Sequence, residues 1–152
     1  MTIRPGELAI ESQPRRVVVD PNVLVAALIS GSGPPAQLLD AARDGRVVIV
    51  ASPQLFAELD RVLRREKFRR YVSLADVDKY LSALAILADL IVDQPEALRK
   101  RVCRDIDGDY LVALARVAEV DLIVSGDRDL FDLDLKDLRV VSPREVVERL
   151  GT

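Results

Sequence analysis

Arg16-Val17-Val18-Val19-Asp20-Pro21-Asn22-Val23-Leu24-Val25 is the stretch that decides how this chain folds. Three β-branched residues in a row read as a short strand, and that strand ends on an acid, Asp20. From Asn22 to Ile29 the apolar residues continue as a helix, stopped by Ser30-Gly31-Ser32-Gly33-Pro34-Pro35.

The alternation continues along the chain. Ala36–Asp44 reads as a short helix closed by Gly45, and Val47–Val50 as a second strand. Ser52-Pro53 supplies an N-cap followed by proline in the first turn of a helix running to about Lys67. Leu55, Phe56, Leu59, Val62 and Leu63 share one face of that helix. Ser73-x-x-Asp76 starts another, with Val77, Tyr80, Leu81, Leu84 and Leu87 inward. Ile91-Val92 is a candidate brief third strand. Gly108–Glu119 is a helix that is apolar nearly all round, as a helix buried between other elements would be. Asp121–Ser125 and Arg139–Val141 complete the strands, and Ser142-Pro143-x-Glu145 opens a terminal helix with a reciprocal cap. Short strands separated by helices imply an α/β fold in three layers, a mainly parallel central sheet flanked by helices. Residues 1–15 read as a flexible N-terminal tail, and residues 16–150 as a single domain.

Composition narrows the chemistry. The 152 residues include no histidine, no tryptophan and one cysteine, Cys103. Without histidine there is no imidazole base, no Ser–His or Cys–His pair and no histidine-ligated zinc. One cysteine gives neither an internal disulfide nor a thiolate zinc site, and on its own reads as an inert small hydrophobe. Catalysis must rest on carboxylates, Lys/Arg, hydroxyls, backbone groups or a hard cation. Met1–Arg15 lacks the apolar run of a signal peptide, and the longest apolar run, Val23–Ile29, is far short of the ~20 residues that span a bilayer. The expectation is a cytoplasmic protein with no membrane segment.

A net charge of −3 conceals a strong asymmetry. Arg61, Arg64, Arg65, Lys67, Arg69 and Arg70 crowd one stretch, and Arg99, Lys100, Arg101 and Arg104 a second. Asp105–Asp137 is acidic in contrast. Each basic cluster is either a solvated helix face or a contact for phosphates.

Two nucleotide-binding strings are dismissed. Gly31-Ser-Gly33-Pro-Pro-Ala36 matches a dinucleotide fingerprint but follows a helix, and its prolines remove the N–H groups that a phosphate turn needs. No glycine precedes Lys-Ser or Lys-Thr, so there is no Walker-type loop.

The acids carry more information. Asp20 ends the first strand, and Asp127 and Asp129 follow the strand at Leu122–Ser125. In a parallel sheet the C-terminal strand ends share one edge, where ligands bind. Asp109 opens the buried helix and Glu58 lies on the helix after Ser52, so both could reach that rim. Singly, each has an ordinary explanation. An aspartate after a strand is a common cap or turn residue, as are Asp105 and Asp107, and Glu58 reads as a surface residue. Ser125 and Asn22 could be turn formers. Together the carboxylates would repel one another, and a divalent cation is the simplest compensation. All-oxygen ligation favours Mg²⁺ or Mn²⁺, which bind substrate phosphates and activate water.

These segments resemble the PIN-domain nucleases, specifically VapC-like toxin components of bacterial toxin–antitoxin pairs. The matching residues are Val17-Val-Val-Asp20-Pro-Asn22-Val-Leu-Val and Ser52-Pro-Gln-Leu-Phe-Ala-Glu58-Leu. Further along they are Cys103-Arg-Asp105-Ile-Asp107-Gly-Asp109-Tyr-Leu-Val-Ala-Leu-Ala115 and Leu122-Ile-Val-Ser125-Gly126-Asp127-Arg-Asp129-Leu. The resemblance covers roughly Arg16 to Val141. Pro21 stands where Ser or Thr is common, and Ser125 where Thr is common.

The resemblance implies Mg²⁺- or Mn²⁺-dependent endoribonuclease cleavage of RNA. Asp20, Glu58, Asp109 and Asp127 would form the acidic pocket, with Asp20, Asp109, Asp127 and Asp129 at one or two metal ions. Asp105, Asp107 and Asp109 all compete for the third acid; Asp109 is chosen because its spacing to Ala113 and Ala115 fits the family's buried helix. Asn22 and Ser125 would hydrogen-bond the carboxylates or a metal-bound water. Arg61, Arg64, Arg65 and Lys67 become candidate RNA contacts, and the family implies a homodimer and an antitoxin partner. Two other readings compete. One is a non-catalytic RNA- or protein-binding member of the same fold. The other is an Asp20-dependent phosphotransferase, which wants a second aspartate where this chain has Asn22.

Overall fold

The apolar run at the start of the chain becomes the middle of a sheet. A computed structural model describes residues 15–95 and 106–150, with Ile106 and Asp107 described by backbone alone. Strand β1 (Arg15–Val19) pairs on one side with β2 (Val47–Ala51) and on the other with β4 (Leu122–Val124). The outer strands are β3 (Asp89–Leu90) and β5 (Arg139–Val141), giving the order β3-β2-β1-β4-β5 with every pairing parallel. Val17, Val18 and Val19 are all fully buried, as in a central strand covered on both faces.

Helices connect the strands. They are α1 (Pro21–Ser30), α2 (Pro34–Arg43), α3 (Pro53–Leu63), α4 (Leu74–Leu87), α5 (Ile106–Val117), α6 (Arg128–Phe131) and α7 (Pro143–Leu150). Right-handed crossovers step from β1 to β3 in one direction and then back past β1 to β4. That reversal places α1–α4 and α5 on opposite faces of the sheet. α5 accordingly packs on β1 and β4, and α2 packs on β2 and α7. The reversal also makes the crevice between the C-terminal ends of β1 and β4 a topological switch point, where open α/β sheets bind ligands.

The expected caps are present. Gly31 ends α1 with φ 68° and Gly45 follows α2 with φ 77°, left-handed values that favour glycine. Ser73 and Asp76 form a full capping box on α4. The Gly31–Ala36 string is the loop into α2, whose first turn its prolines begin.

Several element boundaries differ from the sequence reading. Arg15, assigned to the tail, opens β1 opposite Val47. The third strand is Asp89–Leu90, paired with Val50–Ala51, not Ile91–Val92, and Asp89 accepts from the Arg16 guanidinium at 2.7 Å. α3 stops at Leu63, short of Lys67. The Arg69 guanidinium donates to the Leu63 carbonyl, Arg65 turns extended, and Glu66–Phe68 follows as a 3₁₀ turn. The four-residue helix α6 was too short to show a period; Leu130, buried, anchors it. At α7, Ser142 accepts from the Glu145 N–H at 3.1 Å, while the Glu145 carboxylate lies toward Arg139 and Arg149.

Candidate active site

The switch-point crevice is built by backbone register first. The Asp20 N–H donates to the Val124 carbonyl at 2.9 Å, and the Ser125 N–H to the Val141 carbonyl at 2.9 Å. Three neighbouring strands therefore fix where Asp20 and Ser125 stand. The Ser125 hydroxyl donates to Asp20 Oδ2 at 2.8 Å and accepts from the Asp127 N–H at 3.0 Å. Asp20 Oδ1 accepts from the Asn22 N–H at 2.9 Å, capping α1, and Asp127 Oδ1 accepts from the Asp129 N–H at 2.9 Å, capping α6. The result is one continuous relay from Asn22 through Asp20 and Ser125 to Asp127 and Asp129.

Asp20 is 6% exposed and Ser125 is fully buried, while Asp127 and Asp129 are exposed. Burial pushes the Asp20 carboxyl above the ordinary aspartate range. The Asn22 N–H and the Ser125 hydroxyl oppose that shift, and the Asp127 charge adds to it. Asp20, Asn22, Gly126 and Asp127 line the same cavity, of about 450 Å³.

The other two acids lie elsewhere, in separate surroundings. Glu58, half-buried on α3, accepts from the Tyr110 hydroxyl of α5 at 2.6 Å. Asp109, 2% exposed near the start of α5, lines a separate cavity with Gln94, Ala113, Arg116 and Asp137. The structure thus brings Asp20 and Asp127 together, with Asp129 behind Asp127. It does not gather Glu58 and Asp109 into that cluster. Among the described residues, no group of three or more Asp, Glu, His or Cys side chains is close enough to hold a metal ion. Asp105 and Cys103, the Arg99–Arg104 cluster and the Asp107 side chain lie outside the described residues.

Sequence reasoning gave Asn22 a side-chain role. The structure uses its backbone N–H and leaves the amide exposed. It gave no role to Tyr110, whose only signal was a hydroxyl-bearing residue in an otherwise apolar helix. Arg61, Arg64, Arg65 and Lys67, the candidate RNA contacts, do not share one helix. Arg64 is the C-cap of α3 and pairs with Asp60 at 2.7 Å and Asp78 at 2.5 Å. Arg65 and Lys67 fall beyond the helix, and the Lys67 ammonium lies over the Phe68 ring at 5.1 Å.

A parallel sheet with an acid at the end of its first strand, hydroxyl-linked to acids after its fourth, agrees with the comparison by family. The PIN domain model matches residues 16–129, and the chain belongs to that family, whose members are commonly nucleases that use divalent metals. The chain is similar to an uncharacterized protein, MJ1680, of Methanocaldococcus jannaschii. The two are 28% identical over 142 residues, covering 88% of this chain and 90% of the relative. Among solved structures it is similar to PAE2754 from Pyrobaculum aerophilum, with TM-score 0.63 and 15% identity over 91% of this chain and 90% of that one. It is also similar to VapBC2 from Rickettsia felis bound to a DNA fragment from their promoter. That likeness has TM-score 0.61 and 13% identity over 84% of this chain and 98% of that one. At such identities these two structures establish the fold alone. Among the described residues no helix is long and apolar enough to cross a membrane.

Proposed function

We propose that the chain is a metal-dependent endoribonuclease, the toxin of a toxin–antitoxin pair, acting in the cytoplasm as a homodimer. The observation that carries the proposal is the Asp20–Ser125–Asp127 relay facing a cavity at the switch point. The antitoxin partner and RNA substrate rest on the resemblance of the motifs to VapC-like toxins.

The residues fit a hard divalent cation. Two carboxylates face one cavity, the donors are all oxygen, and burial together with the Asp127 charge disfavours ionised Asp20. Mg²⁺ and Mn²⁺ suit such donors and need few protein ligands. Asp20 and Asp127 would hold the ion, with Asp129 beside them; Glu58 and Asp109 enter the proposal on the resemblance of their segments alone. A cation there would lower the pKa of a bound water and stabilise the leaving oxygen. The protein's own part is orientation. Ser125 and the Asn22 N–H hold both oxygens of Asp20, and the Asp129 N–H holds one oxygen of Asp127.

One observation favours the reading as a non-catalytic RNA- or protein-binding member: Glu58 is engaged by Tyr110, away from the relay. Incubating purified protein with RNA, in Mn²⁺ and in EDTA, and sequencing the new ends separates the two. The nuclease makes internal cuts only with metal, and millimolar Mn²⁺ raises its Tm by binding the folded state. RNA left intact under both Mg²⁺ and Mn²⁺ overturns the proposal.

A further inference from the structure

Between Leu63, where α3 ends, and Leu74, where α4 begins, the chain carries five basic residues against one acid, Glu66. Two of the five are spent on the fold. Arg64 lies between Asp60 and Asp78, and the Arg69 guanidinium donates to the Leu63 carbonyl. Arg65, Lys67 and Arg70 stay exposed, and among the described residues none of them is in ion-pair contact with an Asp or Glu. Arg15, Arg43 and Arg116, by contrast, each lie against an aspartate.

The connection is held in one shape by its own backbone. The Phe68 N–H donates to the Arg65 carbonyl at 3.1 Å and the Arg69 N–H to the Glu66 carbonyl at 2.9 Å. The Tyr71 and Val72 N–H groups both reach the Phe68 carbonyl, at 2.9 and 3.0 Å, and Val72 is buried in the core. On this frame the Lys67 ammonium lies over the Phe68 ring at 5.1 Å and the Arg70 guanidinium over the Tyr71 ring at 5.5 Å. The Tyr71 side of the pair is open, because that residue is 58% exposed. A solvated helix face accounts for the charges but not for an aromatic ring left in water among them. Ring surface beside unmatched cations is the combination that holds single strands: a base stacks on the ring and the cations take its phosphates.

We propose that residues 66–71 form an RNA-docking platform separate from the crevice between β1 and β4. The Tyr71 ring stacks one unpaired base, and Lys67 and Arg70 meet the phosphates beside it. None of these residues lines the cavity at Asp20 and Asp127, so the platform grips the strand away from the proposed point of cleavage. An acidic protein segment would use the cations but has no flat face to lay on the ring, so a nucleic acid fits the surface better. The proposal rests on the nuclease reading for the choice of RNA, but its test does not need cleavage.

The test is fluorescence anisotropy of a labelled RNA dodecamer with the parent protein in EDTA. Its companions are an abasic dodecamer and a polyglutamate peptide of the same length. Tyr71→Ala should weaken the normal RNA about tenfold, the loss of one stacked base, and leave the abasic RNA where it was. Tyr71→Phe keeps the ring and should bind as the parent does. Lys67→Gln and Arg70→Gln should weaken both RNAs, each flattening the slope of log affinity against log salt by about 0.7. A melting scan shows which variants fold, and each reports independently. Equal losses on normal and abasic RNA in Tyr71→Ala, parental slopes in both charge variants, or no binding of RNA by the parent overturns the platform. Polyglutamate bound as tightly as RNA also overturns it and makes the surface a protein-docking one. A parallel cleavage assay in Mn²⁺ keeps the two ideas apart. Cleavage with no ring dependence of binding removes the platform alone, and ring-dependent binding with no cleavage removes the nuclease reading alone.

Discussion

The crevice between β1 and β4 holds Asp20, Asp127 and Asp129, whereas Glu58 and Asp109 stand on α3 and α5 in separate surroundings, and the two sets are organised differently. In the crevice, Asp20 and Ser125 are fixed by strand register, and a chain of hydrogen bonds less than or equal to 3.0 Å long links them to Asp127. On the helices, Glu58 accepts from the Tyr110 hydroxyl, while Asp109 lines a separate cavity with Gln94, Arg116 and Asp137. Ladder hydrogen bonds specify strand-end positions residue by residue. A helix-borne acid also depends on the rotation of its helix about its axis, which the packing of its apolar neighbours decides. The switch point is thus the preorganised half of the site.

The strongest way to break this contrast is Asp20→Asn. Substituting outer partners of a metal ligand costs about 10–100-fold, so removing a ligand itself should cost at least about 100-fold in cleavage rate. The fold should survive, because Asn keeps the cap on α1 and can still hydrogen-bond Ser125. Stability should move the other way. The folded-state pKa of Asp20 is raised by burial, so its ionised form weakens the fold at neutral pH. Its favourable share is present below the pKa of an unfolded aspartate and is lost as pH rises through the folded value. In EDTA the variant should therefore melt higher than the parent at pH 7, with the gap closing as pH falls toward 4. A lower Tm across that range would contradict the account of Asp20 as an acid held at a cost.

Ser125→Ala tests the relay itself. It removes the donor to Asp20 Oδ2 and the acceptor for the Asp127 N–H at a fully buried position. The expected loss is about 10–100-fold in activity, as for other groups that orient metal ligands, and about 1–3 kcal/mol in stability. Ser125→Thr, which keeps the hydroxyl, should restore most of the activity. Failure of threonine to rescue would show that the methyl fits poorly or that the hydroxyl is not what matters; the melting curve of the threonine variant separates these.

Tyr110→Phe probes the other region. It removes the 2.6 Å bond to Glu58 and little volume, and should cost about 1 kcal/mol of stability. If the switch point is the preorganised half, activity should fall by less than in Ser125→Ala. A loss as large as that of Ser125→Ala would put Glu58 on an equal footing with the relay.

What the sequence disclosed follows the same division. The β-branched run ending in Asp20, the apolar strand before Ser125 and the cap signals at Ser52, Ser73 and Gly45 all depend on local chemistry, and each was legible. Some boundaries were not, because a partner elsewhere in the chain stands at them. Asp89 pairs with Arg16 and with β2, and Arg69 donates to the Leu63 carbonyl at the end of α3. Arg15 joins β1 through its pairing with β2, and α6 is too short to show a period. The placement of Glu58 on Tyr110 is likewise a contact over 52 positions, which no spacing rule encodes.

Arg64 gives the smallest expected effect and tests whether the basic stretch beyond Glu58 serves the site at all. Had α3 run on to Lys67, Arg61, Arg64 and Arg65 would have formed one stripe with three phosphate contacts. Instead Arg64 closes the helix with its guanidinium between Asp60 and Asp78, so its charge is already matched twice over. Each phosphate contact on a single strand adds about 0.7 to the slope of log affinity against log salt. Arg64→Gln should therefore leave both RNA affinity and that slope unchanged. Arg61→Gln with Arg65→Gln should flatten the slope by up to about 1.4 if both residues meet RNA. The triple variant should then match the double. A triple variant flatter than the double by a further 0.7 or so would mean that RNA displaces the two aspartates from Arg64, and would bring this face of α3 into the binding surface.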